Sequence, residues 1–584
     1  MRTVVQLTSL AFSLDGAPVE VDIANGESLL SVLRERVGIT TVKDGCAPQG
    51  QCGCCTVLVD GDARVSCVTP AERVAGRAVT TLAGLGVDVF QPLADAFVAT
   101  GGSQCGFCTP GILVRLAALS AKGKTARADL DRALAAHLCR CTGWQTIYEA
   151  ATAHFCTEAP AGVGSSARGS RDFVKAMRRA QLEGAGFQGV GIKTPLGDAG
   201  FADDTAPRDA LVAVPCPPGS VAETVTAAGI RWVIGDSLED ARRRAGKVQG
   251  RRTTLEEATP FALPDHPAGG VRLVTGWVEP AYLEPDASWC RPGGDPTSPL
   301  ANGGAFGGKA TSAAPIAARE LADALGATVR VVYAREDVVR LGPKRPPIAA
   351  TAVARDARIE IRGMTALALP AYQSVYRVEI DSHWEVTPLA GPPVSDALRA
   401  VGLAEHTILV EGAIDAAGWD RVSLLDPRGA AVLLDVIAGT HGASTEGALA
   451  GARVVIDERT GRIAAVHVRV AAGDPLDEIV LRSYVIGAAH MALGWVLTEG
   501  LTVDPATGEV LDLTIRSFGV IRPKDMPPVT VEIVDESGAP RPRSADAAFA
   551  AVAAAAWNAL ARADGVRSDT FPATSSRTAR MLRR

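Results

Sequence analysis

Nine of the twelve cysteines in this 584-residue chain fall between Cys46 and Cys141, leaving Cys156, Cys216 and Cys290 for all the rest. Thiols at this density are cross-linked to one another or bound to metal, and the redox compartment decides between the two. The N-terminus, Met1 to Thr8, is punctuated by polar residues and lacks the apolar run and small-residue cleavage site of an export signal. The longest apolar stretch, Ala547 to Ala561, contains Asn558 and falls short of the ~18 to 20 residues a membrane span needs. A cytoplasmic protein without a membrane span is therefore expected, and in a reducing cytoplasm the cysteines read as metal ligands.

Their spacing sorts them into two groups. The first lies in Lys43-Asp44-Gly45-Cys46-Ala47-Pro48-Gln49-Gly50-Gln51-Cys52-Gly53-Cys54-Cys55-Thr56, with Cys67 on a following strand. A [2Fe–2S] cluster needs four thiolates around two irons, and a glycine-rich loop can wrap tightly enough to supply three of them. The gap from Cys46 to Cys52 is five residues, one longer than the plant-type pattern. Cys46, Cys52 and Cys54 form an alternative register. The two-residue gap favours Cys46, Cys52, Cys55 and Cys67, with Cys54 left as a spare thiol. The second group pairs Cys105 and Cys108 with Cys139 and Cys141. Each pair precedes a helical pattern, where unpaired N–H groups stabilise thiolates. Spacing alone also allows a structural zinc at either group.

Length suggests about four domains at roughly 150 residues each. The 59 basic and 65 acidic residues give a net charge of −6, and the basic residues form no long run, which argues against a nucleic-acid partner. Residues 1–88 read as short strands with a hairpin signal at Asp60-Gly61 and a helix opening at Leu29 behind Ser28. Residues 89–156 read as four helices: 91–99, 112–119, 129–137 and 144–154. Residues 157–171, rich in Gly, Ser, Ala and Pro, read as a linker. Residues 172–584 mix helices such as Ala314 to Leu325 with strands such as Val329 to Tyr333 and Ala452 to Asp457, in two subdomains. The final helix begins near Ser544, carries Phe549, Val552, Ala556 and Leu560 on one face, and stops at Gly565. Periodicity is too weak to place strands in 235–275 and 345–400. The fold class expected is multidomain α+β.

The paired loops, Cys-Gly-Cys-Cys-Thr-Val and Gln-Cys-Gly-Phe-Cys-Thr-Pro-Gly followed by Leu-Cys-Arg-Cys-Thr-Gly, resemble the iron–sulfur portion of the molybdenum hydroxylases, the family of xanthine dehydrogenase and aldehyde oxidase. The resemblance implies a β-grasp ferredoxin domain and a four-helix domain, each with a [2Fe–2S] cluster, and a Gln104 that hydrogen-bonds the pterin feeding the second. Later segments are similar to the family's molybdenum-binding region: Glu279 to Pro285, Asn302 to Lys309, Tyr333 to Asp337 and Ala397 to Gly402. On that likeness Gly303, Gly304, Phe306 and Arg399 are candidate molybdopterin contacts. The activity implied is hydroxylation of a heterocycle or aldehyde, with electrons leaving through the two clusters. The expected partner is a flavoprotein or similar electron acceptor, because no flavin domain separates the linker from the molybdenum-like region.

Three departures stand against that activity. The region is shorter than a full molybdenum subunit, the pterin-cradling loops are not recognisable, and Ser537-Gly538-Ala539-Pro540 stands where the family has a Gly-Glu-Pro-Pro segment. A general base typically contributes about 10² to 10⁴ in rate, so its loss is severe. No catalytic residue is assigned, and Glu536, three residues away, could act as a surrogate only if the loop is rearranged. The alternative function is an electron-transfer subunit whose degenerate molybdenum region works beside a separate catalytic molybdenum subunit.

Overall fold

The computed structural model describes residues 7–46, 48–155, 188–246, 259–432, 441–444 and 447–582. The expected linker at 157–171 and Cys156 lie outside the described residues.

The first sheet holds β1 (Leu7–Leu14), β2 (Ala17–Ala24), β3 (Thr56–Val59), β4 (Asp62–Val65) and β5 (Ala78–Thr80), in the order β2-β1-β5-β3-β4. Asp15-Gly16 and Asp60-Gly61 turn its two hairpins with positive φ at both residues, as two-residue hairpin loops demand. β1 runs parallel to β5 while the other pairs are antiparallel, so the cysteine loop 43–55 must cross from one edge of the sheet to reach β3. The helix expected from Leu29 is one α-turn, Leu29–Ser31, capped by the Ser28 hydroxyl and continued by wider π-turns through Val37. Those turns carry Arg34 inward, where it donates to the carbonyls of Thr40 and Val42 at 3.2 and 3.0 Å.

Four helices follow: α1 (Val87–Thr100), α2 (Thr109–Ser120), α3 (Arg127–Leu134) and α4 (Gln145–Phe155). Pro110 stands at the first turn of α2, where its missing N–H costs nothing. The third helix ends at Leu134, three residues before the expected His137, because the chain must turn there to bring Leu138 back to the first cysteine loop.

Beyond residue 188 there are three more sheets. Strands β6 (Leu211–Pro215), β7 (Val225–Ala227), β8 (Ile230–Gly235), β9 (Gly270–Thr275), β10 (Asp286–Cys290) and β11 (Val329–Tyr333) come first. Five of them form a sheet in the order β10-β11-β6-β8-β7, covered by α5 (Leu238–Ala245) and α6 (Ala314–Leu325). β9 instead joins β12 (Ile348–Arg355), β13 (Arg358–Thr365), β14 (Glu379–Val386) and β19 (Thr570–Phe571) in the order β14-β13-β12-β9-β19. These fill the stretches where the sequence pattern placed no strand. The last sheet is β15 (His441–Ser444), β16 (Leu449–Ile456), β17 (Ile463–Ala471) and β18 (Val529–Ile533). The expected strand 452–457 is thus part of a longer one beginning at Leu449.

Two long helices, α9 (Glu478–Leu497) and α10 (Ser544–Asp564), meet α8 (Val401–Ala417) and β16 in the largest core; α7 (Arg335–Leu341) follows β11. The expected apolar face of α10, Phe549, Val552, Ala556 and Leu560, is buried, and so is every other residue from Ala547 to Leu560. Packed on several sides at once, the helix needs no polar face, and its alanines let α8 and α9 approach closely. Both α9 and α10 are long and apolar enough to cross a membrane by length and composition, yet both lie buried in this core.

Candidate metal centres and the segments around them

All nine clustered cysteines are buried, and none of the eleven described cysteines forms a disulfide. In the first group the thiol of Cys46 meets those of Cys52 and Cys67, and Cys67 meets Cys55. Hydrogen bonds from Cys52 and Cys67 hold the Cys46 thiol well below its ordinary pKa, while the same contacts with burial push Cys67 up. Cys52 also meets the Cys54 thiol, so five thiols share protons here, the protein's side of a metal site in which iron would replace the shared protons. Backbone N–H groups also point at sulfur: Gln51 toward Cys46 at 3.5 Å and Cys67 toward Cys55 at 3.4 Å. The Cys54 sulfur lies 3.8 Å from the Cys52 carbonyl; its hydrogen bond with the Cys52 thiol pulls its pKa down, but burial and the neighbouring thiols outweigh that and push it up.

The second group is two pairs. Cys105 and Cys141 stand 3.5 Å apart, sulfur to sulfur, and Cys108 hydrogen-bonds Cys139. The Cys108 contact, helped by Thr142 at 3.1 Å and opposed by burial, holds Cys139 at about 7. Among the described residues no three His, Cys, Asp or Glu side chains are arranged to hold one metal ion. Pairs of thiols suit two irons with two thiolates each, and so fit a [2Fe–2S] cluster better than one tetrahedral zinc.

The two groups adjoin. The Leu138 N–H donates to the Cys52 carbonyl at 2.9 Å, and His137 fills the space beside Gly53 with its Nε2 3.3 Å from the Thr56 hydroxyl. On its outer side the first group opens to a groove of about 370 Å³ lined by Cys67, Arg34, Glu35, Asp44, Glu239 and Arg242.

The second group is enclosed by the later part of the chain. Gly304, at φ +87°, lies so close that an added Cβ would stand 2.8 Å from the Cys105 Cβ and 3.1 Å from its sulfur. Asn302 donates to the Gln104 carbonyl at 3.1 Å, fixing the loop in place. Phe306, also at positive φ, packs against three separate hydrophobic cores, and its carbonyl accepts from the Arg399 N–H at 3.1 Å. Gly303 faces the Gln188 side chain. The five residues that resemblance links to the pterin are therefore gathered around the second cysteine group.

Several of their donors are nevertheless engaged. The Gln104 Nε2 donates to the Cys141 carbonyl at 3.0 Å and to the Ser483 hydroxyl at 2.8 Å, which uses both its hydrogens. Arg399 spends Nη1 on Glu499 and the Glu279 carbonyl, and Nη2 on the Met491 carbonyl. Among these side chains the Arg399 Nε is left buried without a hydrogen-bond partner. Glu536 accepts from the Gly473 N–H at 2.7 Å and pairs with Arg541 at 2.9 Å, so it serves the turn before α10. Sequence reasoning missed Asn302, Ser483 and Glu499. Asn302 could have been read from its place before Gly-Gly, but Glu499 meets its partner Arg140 across 359 residues and left no local signal.

This is an iron–sulfur redox protein with two cluster-binding domains built in series. Residues 12–82 match the family described as 2Fe-2S iron-sulfur cluster binding domain, and residues 81–152 match the [2Fe-2S] binding domain family. Residues of the chain are 39% identical, over 139 positions, to the xanthine dehydrogenase iron-sulfur-binding subunit of Escherichia coli O157:H7, covering 23% of this chain and 86% of that subunit. They are 43% identical over 132 positions to the aldehyde oxidoreductase of Megalodesulfovibrio gigas, which covers 22% of this chain and only 14% of that protein. The solved aldehyde oxidoreductase from Desulfovibrio gigas shares the fold over 99% of this chain and 100% of its own, with a TM-score of 0.70 at 15% identity. The chain belongs to the molybdenum hydroxylase family of xanthine dehydrogenase and aldehyde oxidoreductase, a family of oxidoreductases.

Proposed function

We propose that the chain carries electrons from molybdopterin-dependent hydroxylation of a heterocycle or aldehyde through two [2Fe–2S] clusters to an acceptor. Cys105, Cys108, Cys139 and Cys141, in the domain 89–156, hold the cluster nearer the donor. Cys46, Cys52, Cys55 and Cys67, in the domain 1–88, hold the one nearer the acceptor. The carrying observation is the chain of contact from the 302–309 loop, by way of Gly304, to Cys105, and from Leu138 to Cys52. The groove beside Cys67 suits the docking of a flavoprotein or similar acceptor. A molybdenum centre, when bound, would supply a two-electron oxidation; the chain's own residues position the clusters and exclude water from them. The reducing cytoplasm, where buried thiols stay free to take up iron, is the compartment that suits this chemistry.

Two specific observations pull on where hydroxylation happens. The second cysteine group is buried under the chain's own glycine loop and α9, which favours a donor within this chain. The engaged Gln104 and Arg399 donors and the tethered Glu536 favour the second reading, a degenerate molybdenum region beside a separate catalytic subunit. Metal analysis after anaerobic purification separates them. About four irons per chain with acid-labile sulfide are expected on both readings. Molybdenum in addition supports the first; four irons without molybdenum overturn it for this chain alone, and zinc in place of iron overturns both.

A further inference from the structure

Arg140 stands between the two ligands of the Cys139-Arg140-Cys141 turn, and its guanidinium is sealed from solvent. It grips both oxygens of Glu499, each at 2.7 Å. Glu499 also pairs with Arg399 at 2.6 Å, and the three side chains are 3%, 6% and 0% exposed, Arg140, Glu499 and Arg399 in turn. The two arginines are locked further by consecutive carbonyls: Arg399 donates to that of Glu279 at 3.0 Å and Arg140 to that of Pro280 at 3.2 Å. Phe549 of α10 lies 5.6 Å from the Arg399 guanidinium. At Gly494, one turn before the end of α9, an added Cβ would overlap the Glu499 carboxylate, so the helix leaves that space for the charge.

Two cations therefore share one anion, and one of them belongs to the turn that carries Cys139 and Cys141. Burial pushes Glu499 up, but Arg140 and Arg399 outweigh it and hold the carboxyl at about 2. Burial and then Arg140 bring Arg399 down to about 10, which still leaves it protonated at neutral pH. The triad thus keeps one net positive charge. A [2Fe–2S] cluster with four thiolates becomes more negative by one charge on reduction, so a fixed positive charge nearby stabilises its reduced form, and more strongly in a buried, low-dielectric setting.

We propose that Glu499 is a positioning residue for the second cluster: it holds Arg140 against the cluster loop, joins it to Arg399, and through their net charge sets that cluster's reduction potential. Arg399, which resemblance linked to a pterin, then acts on the cluster through Glu499 and Arg140, and the 397–402 segment is electrostatically tied to the redox centre. This rests on the reading that the second cysteine group holds a [2Fe–2S] cluster, and is independent of where hydroxylation takes place.

The test is an EPR-monitored redox titration of the full chain, purified anaerobically, with iron and sulfide counted for every variant. Glu499→Gln removes the anion and is expected to raise the midpoint of the second cluster. Arg399→Met removes a cation and is expected to lower it, while the first cluster's midpoint stays fixed in both. A clamp with a structural role alone would shift both variants in the same direction or neither. Either result in protein that keeps its four irons overturns the proposal. If Glu499→Gln fails to retain the cluster, Arg399→Met is read against Arg399→Lys, which keeps the charge and is expected to hold the original midpoint; equal midpoints for the two variants overturn the proposal. Failure of the underlying reading would be visible separately, as a wild-type chain with one [2Fe–2S] signal or none.

Discussion

The Leu138 amide donates to the Cys52 carbonyl at 2.9 Å, so the two cysteine loops are joined by a backbone bond one residue away from Cys139. The next residue back, His137, is buried against Gly53 with its Nδ1 unpaired, and it makes that joint sensitive to acid. Burial, then Arg115, pushes His137 down to about 4. Burial does the same to His406, and to His490 with help from Arg140. Each is neutral in the folded chain, whereas an unfolded histidine takes up a proton near pH 6.5. Their stabilising contribution is whole above about 6.5 and is lost as pH falls toward 4, at up to ~3 kcal/mol each by linkage. Thermal melts of the holoprotein should fall steeply across that window. His137→Asn should flatten the slope, and an unchanged slope would remove His137 from the cause.

Cys54 and Cys55 are neighbours with opposite expected fates. Cys55 meets Cys67 and accepts from the Cys67 N–H at 3.4 Å, while Cys54 turns to the Cys52 side of the loop. Cys54→Ser should retain about four irons and both EPR signals; Cys55→Ser should lose the first signal and about half the iron. The reverse outcome would establish the other register.

What the sequence disclosed follows from what is local. The Asp60-Gly61 hairpin, the Ala314–Leu325 helix and the Val329–Tyr333 strand are set by neighbours along the chain, and each is found where the sequence pattern places it. The strands 348–355, 358–365 and 379–386 were illegible because their sheet is completed by β9 and by Thr570–Phe571, partners far away in sequence. The burial of α10 beyond its expected face was illegible for a related reason: its alanines become packing surface once α8, α9 and β16 surround them. The Arg140–Glu499–Arg399 triad joins three segments that no spacing rule connects.

The ferredoxin-like domain is fastened to the 188–246 segment by buried charge. Arg34 pairs with Asp203 at 2.7 Å and Asp204 at 3.0 Å, Lys43 pairs with Asp204, and Arg330 bridges Asp203 and Glu35. Burial raises the Asp203 carboxyl, but Arg34 and Arg330 outweigh it and leave it below the usual range. Removing one member leaves buried cations uncompensated, which typically costs about 3 to 5 kcal/mol. Asp203→Asn should lower the melting temperature markedly without altering the midpoint of the second cluster. A melt within a degree or so of the wild type would mean that water enters the joint.

Gly304 is where the glycine loop and the second cluster come closest, and replacing it separates contact from chemistry. At φ +87° a side chain is strained, and a methyl group would press on Cys105 from 2.8 Å with the Cys141 sulfur 3.5 Å away. The neighbouring loop has little freedom to retreat, since Asn302 is bonded to the Gln104 carbonyl and the Phe306 carbonyl to Arg399. The strain therefore falls on the Cys105 to Cys141 pair. Gly304→Ala should broaden or shift the EPR signal of the second cluster, or reduce the iron content toward about two per chain, with the first signal unchanged. Gly303→Ala, whose added carbon would meet only the Gln188 side chain at 3.4 Å, carries the same backbone strain without touching a ligand. If both variants disturb the second cluster equally, the loop acts through its conformation; if Gly304→Ala alone does so, it acts through direct contact with the cysteine.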